Sequence, residues 1–166
     1  MMEEPSAEHR WLEQLVGEWE IEAGSAESDM AEHRWTESVR TLNGLWIVAE
    51  GKGEMPDGTS VRTLMTLGYD PRRGKYVGNW IGSMMSHMWV YEGELDASGR
   101  VLPLDCEGPD FSPEGSLGLK DGELGHYQDV ITIEDENTRT LTGRVKMPDG
   151  TWNEFMTARY RRVSPT

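Results

Sequence analysis

A chain of 166 residues has the length of one ordinary domain with one substantial hydrophobic core. Thirty acidic side chains against sixteen basic ones leave a net charge of -14, and so acidic a surface repels nucleic-acid phosphates and anionic lipid headgroups. We therefore expect neither nucleic acid nor a membrane surface as a partner. The longest apolar runs are too short to span a bilayer, and the first residues lack the basic and apolar regions of a signal peptide, which predicts a cytoplasmic protein.

The start of the chain predicts a single helix over residues 7–16. Trp11, Leu12, Leu15 and Val16 share one helical face, and Gly17 can end the helix. From Gly17 to residue 163 the pattern changes to an alternation of apolar and polar side chains. Glycine, proline and aspartate turns interrupt this alternation every eight to twelve residues or so, as is typical of short antiparallel strands.

The alternation predicts about ten strands. They span Glu18–Ala23, His33–Thr41, Leu45–Gly53, Val61–Tyr69, Lys75–Ile81, Met88–Leu95, Arg100–Glu107, Gly125–Glu134, Thr138–Lys146 and Thr151–Arg162. The pentapeptide MPDGT occurs twice, from Met55 and from Met147, and Pro-Asp-Gly is a turn sequence, so each copy should join neighbouring strands. With no helices between the strands, we predict one domain, an all-β antiparallel meander closed into a barrel, because closure removes the exposed edges. A flattened sandwich is the alternative.

Several motifs resemble those of the bacterial domain of unknown function 1579 family. They are LVGEW at the end of the helix, LGYDPRRGKYVGNW, SMMSHMWVYEG and the closing YRR. The family is regarded as lipocalin-like, and Gly17 with Trp19 matches the Gly-x-Trp that opens lipocalin-type barrels after a short helix. The resemblance implies a calycin-type barrel with a cavity of ligand size, and it implies no reaction.

The alternation also predicts which side chains point into the barrel. Three carboxylates, Glu37, Asp129 and Glu154, and the cation Arg139 fall on faces that are otherwise apolar. A buried charge is costly unless it is paired, so these groups form an internal ion pair, line a hydrated cavity, act at a working site with a raised pKa, or lie at the barrel rim. The predicted ligand-binding residues are Trp19, Trp35, Met65, Trp80, Met84, His87, Trp89, Tyr91, Tyr127, Arg139, Trp152, Met156 and Tyr160.

The segment SMMSHMW, residues 83–89, contains three methionines and a histidine, all of which are ligands for soft metals. The chain must reverse inside residues 75–95, because a fully extended run of that length far exceeds an ordinary strand. We therefore predict a turn at one barrel end, where Met84, Met85 and His87 gate a cavity or cap the core. Their side chains do not converge, and Cys106 is the single cysteine, so neither a metal nor a disulfide is expected. Copper is disfavoured, and haem is disfavoured because the last strand has no histidine.

Three functions remain open from the sequence. The first is a protein that binds a moderately hydrophobic small molecule, because a wall of aromatic and methionine side chains with a few polar groups suits such a ligand. The second is an isomerase, cyclase or hydrolase in which Glu37, Asp129 or Glu154 is the general acid or base. The third is a solid barrel that serves as an interaction module or homodimer through exposed residues around SMMSHMW.

Overall fold

The computed structural model describes residues 2–23, 35–111 and 115–163, and within them the chain forms one helix and ten strands. The elements are α1 (Ala7–Glu13), β1 (Gly17–Ala23), β2 (Trp35–Leu42), β3 (Trp46–Glu54), β4 (Ser60–Asp70), β5 (Lys75–Gly82), β6 (Trp89–Gly93), β7 (Val101–Gly108), β8 (Gly125–Asp135), β9 (Thr138–Lys146) and β10 (Trp152–Arg162). Each strand pairs antiparallel with the next one, and β1 pairs with β10, where Ile21 lies opposite Tyr160. The predicted closed barrel is thereby confirmed, and the sandwich alternative is wrong.

Most predicted strands agree with the observed ones to within one or two residues. The helix is shorter than predicted, because it ends at Glu13 and not at Val16. Leu15 nevertheless donates its backbone N–H to the carbonyl of Leu12, so the chain stays coiled and both leucines remain buried. The predicted start of the second strand at His33 lies outside the described residues.

The two MPDGT copies form the same turn at two hairpins. Met55 donates its N–H to the Thr59 carbonyl between β3 and β4, and Met147 donates to Thr151 between β9 and β10, each at 2.8 Å. The glycine of each copy adopts a φ of 86°, a conformation that glycine adopts without steric cost. The prediction that both copies join neighbouring strands is confirmed.

One end of the barrel is closed by α1. Ser6 caps the helix, and the buried His9 donates from Nε2 to the carbonyl of Tyr69 on β4 at 3.1 Å. Side chains from the helix and from the nearest strand ends fill this half of the barrel, which we call the closed half. Its fully or almost fully buried members include Leu12, Leu15, Trp19, Val39, Ile47, Leu67, Tyr76, Leu102 and Ile131.

Contacts around the Gly-x-Trp sequence hold the chain after α1 against the first and last strands, β1 and β10. Trp19 donates its indole N–H to the Leu15 carbonyl at 2.9 Å, and the guanidinium of Arg162 lies over the indole at 4.3 Å from its centroid. Arg162 also donates to the Val16 carbonyl at 2.6 Å. A Cβ at Gly17 would collide with this guanidinium, and Gly17 has a φ of 135°, so glycine is required there on two grounds.

A β-bulge interrupts β10. Glu154 pairs with Arg144, but the next paired residue is Met156, opposite Gly143, so Phe155 is the extra residue. Because alternate residues of a strand face opposite sides, this insertion exchanges the two faces of β10 at that point. Residues of β10 before Phe155 therefore face the opposite side from the one that an unbroken alternation predicts.

Candidate functional site

The half of the barrel away from α1, which we call the open half, encloses a cavity of about 330 Å³. Its walls come from the ends of the strands opposite the helix, and Met85 and Phe111 reach it from the two segments that connect β5 to β6 and β7 to β8. The lining residues are Ile21, Trp35, Glu37, Gly51, Thr63, Trp80, Met85, Trp89, Phe111, Tyr127, Asp129, Leu141, Phe155, Met156, Ala158 and Tyr160.

Four aromatic rings meet at one side of the cavity. Phe111 stacks on Tyr127 with ring centroids 5.4 Å apart, while Trp89 meets Tyr127 edge to face at 5.0 Å. Phe155 lies edge to face against Phe111 at 5.4 Å. Such contacts add to the stability that area burial provides, and Phe111 and Phe155 are still about half exposed, at 50% and 43%.

Glycines allow two tryptophans to lie flat on the barrel wall. Trp35 covers Gly53 of the neighbouring strand β3, and Trp89 covers Gly108 of β7, and a Cβ at either glycine would collide with the indole. An aromatic ring that covers a cross-strand glycine replaces the side-chain contact that the glycine lacks. The tryptophans are therefore held as part of the wall, with the ring available to the cavity.

The deepest polar group is an ion pair. Arg139 donates from Nη2 to Oε1 of Glu37 at 2.6 Å, and the two side chains are only 6% and 11% exposed. The guanidinium also lies between two rings, at 3.9 Å from the centroid of Tyr160 and 4.6 Å from that of Trp19. Glu37 lines the cavity, whereas Arg139 lies behind it at the boundary with the closed half.

Asp129 is the second carboxyl in the cavity wall. The hydroxyl of Tyr91 donates a hydrogen bond to its Oδ2. Burial raises the pKa of Asp129 above its ordinary value, and the hydrogen bond from Tyr91 opposes this shift only in part. The side chain is half-buried and lines the cavity, so its exposed part faces the cavity.

The phenols around the cavity stay protonated at neutral pH. Burial raises the pKa of Tyr127 to about 12, and its hydroxyl donates to the Pro109 carbonyl at 2.7 Å. Burial also raises the pKa values of Tyr91 and Tyr160, two phenols close to Asp129.

The indole N–H of Trp35 is buried without a hydrogen-bond partner among the described residues.

Eight of the predicted site residues line the cavity. They are Trp35, Glu37, Trp80, Trp89, Tyr127, Asp129, Met156 and Tyr160. Tyr91 touches the site through Asp129, and Arg139 touches it through Glu37. Trp19 belongs to the closed half, and Met65 is buried in the wall without lining the cavity.

Trp152 and Glu154 were predicted to face inward, and this prediction is wrong. Both precede the bulge in β10, so they lie on the outer face, where Trp152 contacts His126 at 5.1 Å and Arg144 at 4.9 Å between centres. Met156, Ala158 and Tyr160 follow the bulge and point inward as predicted. The prediction assumed an unbroken alternation along β10, and the bulge reverses the faces of the residues before it.

The SMMSHMW segment forms the predicted turn at the open end, between β5 and β6. Met85 lines the cavity and accepts the indole N–H of Trp89 on its sulfur at 3.2 Å. Met84 is 43% exposed and does not line the cavity. His87 is also outside it, with Nε2 donating to the Glu107 carbonyl at 2.7 Å.

Phe111, Phe155 and Ala158 line the cavity without having been predicted as site residues. Ala158 follows from the alternation of β10 and was overlooked because of its small size. Phe111 lies in a connection and Phe155 in the bulge, so no periodic signal marks either of them. Gly51, Thr63 and Leu141 also line the cavity, and Thr63 and Leu141 lie on the inward faces that the alternation predicts.

In the described ranges, no group of three or more His, Cys, Asp or Glu side chains is arranged to hold a metal ion. Cys106 is a buried free thiol. None of the described helices is both long enough and apolar enough to cross a membrane.

Comparisons with known proteins identify the family. Residues 4–162 match the family model described as "Protein of unknown function (DUF1579)". The chain belongs to this family. The resemblance that the sequence motifs indicated is thereby confirmed, and the observed barrel agrees with the lipocalin-like fold that it implied. No curated protein matches the chain.

Two solved structures resemble the barrel at low sequence identity. One is described as "Structure of EF1p2_mFAP2b bound to DFHBI"; it is 13% identical, with a TM-score of 0.46 over 95% of this chain and 100% of that one. The other is described as a "De novo design of a fluorescence-activating beta barrel"; it is 13% identical, with a TM-score of 0.43 over 89% and 93% of the two chains.

Proposed function

We propose that the protein binds a moderately hydrophobic small molecule inside the open half of the barrel. The observation that carries the proposal is the cavity of about 330 Å³, walled mainly by aromatic and aliphatic side chains. Ligand sites in proteins are concave and mostly apolar, with a few placed polar groups, and have volumes from roughly 300 to 1,000 Å³. The cavity therefore suits a ligand at the small end of that range.

A solid barrel is the weaker interpretation of the same fold. Buried side chains pack together in the closed half, but the open half has large residues on its wall and space between them. Three polar groups at the wall can orient a ligand: the carboxyls of Glu37 and Asp129, and the indole N–H of Trp35, which has no hydrogen-bond partner in the described part of the chain. An unpaired buried donor is costly, so an acceptor atom of the ligand would recover that free energy.

The test is a titration with a broad panel of apolar metabolites, followed by intrinsic tryptophan fluorescence and by melting temperature. Trp35, Trp80 and Trp89 line the cavity, so an occupant should change the emission. A ligand at about 100 times its Kd should stabilise the fold by about 2.7 kcal/mol. No change in either signal across the panel would refute the proposal.

A matched pair of variants on β4 localises the site. Thr63 lines the cavity, whereas Thr66 alternates to the outer face of the same strand, and both side chains are half-buried. Thr63→Phe places a ring in the cavity and should abolish binding. Thr66→Phe carries the same substitution on the outside and should bind like the wild type. Equal loss in both variants would place the ligand elsewhere.

An enzyme is the second candidate, because one observation favours it. Asp129 is a carboxyl with a raised pKa in a mostly apolar cavity, a setting that suits a general acid or base near neutral pH. Glu37 is a poorer candidate, because Arg139 already neutralises its charge. An isomerase, cyclase or hydrolase would lose turnover in Asp129→Asn while it still bound its substrate, whereas a pure binding protein would show no turnover to lose.

The homodimer stays a prediction. Met84, Met88 and Val90 are 43%, 51% and 63% exposed near the open end, and exposed apolar residues that form one patch mark protein–protein interaction sites. Size-exclusion chromatography of a Met84→Ser/Met88→Ser variant tests it, because both residues lie outside the cavity lining.

A further inference from the structure

The charges at the cavity wall do not balance. Two carboxyls, Glu37 and Asp129, line the cavity, and no Lys, Arg or His does so among the residues that the structure describes. Arg139 compensates Glu37 through their ion pair. Asp129 forms no ion pair with any described cation, and its hydrogen-bond partner is the neutral phenol of Tyr91. Among the described residues, Asp129 is therefore the wall carboxyl that has no counter-charge.

Aromatic side chains line the cavity together with this carboxyl. A Cβ at Gly143 would lie 2.9 Å from the ring of Phe155 and 3.5 Å from Oδ1 of Asp129, so both groups share the space over this glycine. Tyr127 is two positions away on the same face of β8, and Tyr160 also lines the cavity. A carboxylate beside aromatic side chains is an arrangement by which proteins recognise an organic ammonium, through the charge pair and through cation–π attraction.

We propose that the ligand is a hydrophobic organic cation, an aryl- or alkylammonium, whose nitrogen sits beside Asp129 while its apolar part fills the aromatic cavity. This inference rests on the proposed binding function and gives it a ligand class. The cation supplies the counter-charge that no described residue gives to Asp129, and burial of that pair away from bulk water strengthens the attraction. A ligand with a carboxylate head would instead face two wall carboxyls, and only one of them is neutralised.

The acidity of the site gives the proposal a second signature. Asp129 must be ionised to pair with the cation, so affinity for the amine should fall as the pH drops through its pKa, which burial raises. Affinity for an uncharged ligand should not fall in that range. Other titratable or charged groups near Asp129 are Tyr91 on β6, Cys106 on β7, Arg139 on β9, Tyr160 on β10 and Glu37 on β2. The two phenols and the thiol have raised pKa values, so they stay neutral through this range.

The experiment compares three head groups on one skeleton. The probes are 4-phenylbutylamine, 4-phenylbutanol and 4-phenylbutyrate, with the three corresponding naphthylmethyl compounds as a second skeleton. Binding is measured by calorimetry and tryptophan fluorescence at high salt, about 0.5 M, where the general attraction of an acidic surface for any cation is screened. We expect the amine to bind about tenfold or more tightly than the alcohol, and the carboxylate to bind more weakly than both.

Two single-charge variants separate the site from the surface. Asp129→Asn keeps the shape of the side chain and an acceptor for Tyr91, and the preference for amine over alcohol should collapse to about twofold or less. Glu154→Gln removes one negative charge from the outer face of β10 and should keep the full preference. Because the ratio is taken within each variant, a general loss of stability does not imitate the result.

The outcomes distinguish this inference from the binding function on which it rests. If the alcohols or carboxylates bind as tightly as the amines, or if Asp129→Asn keeps the preference, the cation inference is overturned while the binding function stands. If no compound of either skeleton binds, the cation inference is overturned, and the metabolite panel decides the binding function separately. A preference that Glu154→Gln abolishes as well would assign the selectivity to the surface charge and would also overturn the inference.

Discussion

Loss of Arg139 should lower the free energy of unfolding more than the loss of any exposed ion pair does. Its guanidinium and the carboxylate of Glu37 are 6% and 11% exposed, so Arg139→Met leaves a carboxylate buried in the barrel without its counter-charge. Breaking a buried pair by removing one partner costs about 3 to 5 kcal/mol. For a domain of this size, that loss lowers the melting temperature by roughly 6 to 20 °C.

The pair of Arg159 and Glu134 is the matched control. It too is an Arg–Glu pair between two strands, here β10 and β8, but its side chains are 50% and 37% exposed, with 3.2 Å between Nη2 and Oε2. Arg159→Met should cost less than about 1 kcal/mol. Urea unfolding followed by tryptophan fluorescence measures both losses.

A double variant tests the cause of the effect. In Glu37→Leu/Arg139→Met neither charge is left alone, so its loss should be smaller than the sum of the two single losses by about 2 kcal/mol or more. Additive losses would refute the reasoning, because they would mean that the two side chains do not interact. A loss in Arg139→Met no larger than that in Arg159→Met would refute it as well.

Three further predictions use other parts of the barrel. Because burial raises the pKa of Asp129, its contribution to stability is full below the unfolded pKa and is lost as the pH rises through the folded one; Asp129→Asn should therefore gain stability over the wild type in urea unfolding as the pH rises above about 4, and a constant difference would contradict this. Burial likewise raises the pKa of the Cys106 thiol, so a thiol-reactive dye should modify it in denaturant and much more slowly in the folded protein. Gly17→Ala should cost about 2 to 4 kcal/mol, because it combines a strained φ with a collision against Arg162, whereas Gly58→Ala, with positive φ and open space, should cost about 1 kcal/mol; equal losses would rule out the collision.

Local patterns in the sequence were sufficient for most of the barrel. Alternation fixed the strand segments to within a few residues, and Pro-Asp-Gly marked both hairpins that contain it. The inward positions of Glu37 and Asp129 followed from the same period. These features depend on neighbours in the chain, so a single sequence contains the information.

The bulge at Phe155 shows where this reasoning ends. The sequence around Glu154 contains no signal for an extra residue. One unpaired residue in β10 nevertheless reverses the side to which each preceding residue of the strand points. Phe111 could not be predicted either, because it lies in the connection between β7 and β8, where no strand alternation applies.

The sequence by itself predicted the N-terminal helix, the antiparallel strands, the turn at SMMSHMW and the family, whereas the pairing of β1 with β10 decided for the closed barrel and against the sandwich. Only the tertiary structure decided that the barrel is filled at one end and hollow at the other, that Arg139 neutralises Glu37, and that Asp129 has no counter-charge among the described residues. The physical reason is the range of the interactions. Strand period and turn chemistry act between residues that are close in the chain, whereas cavity volume and charge compensation depend on side chains from different strands, and no local pattern records which of them meet.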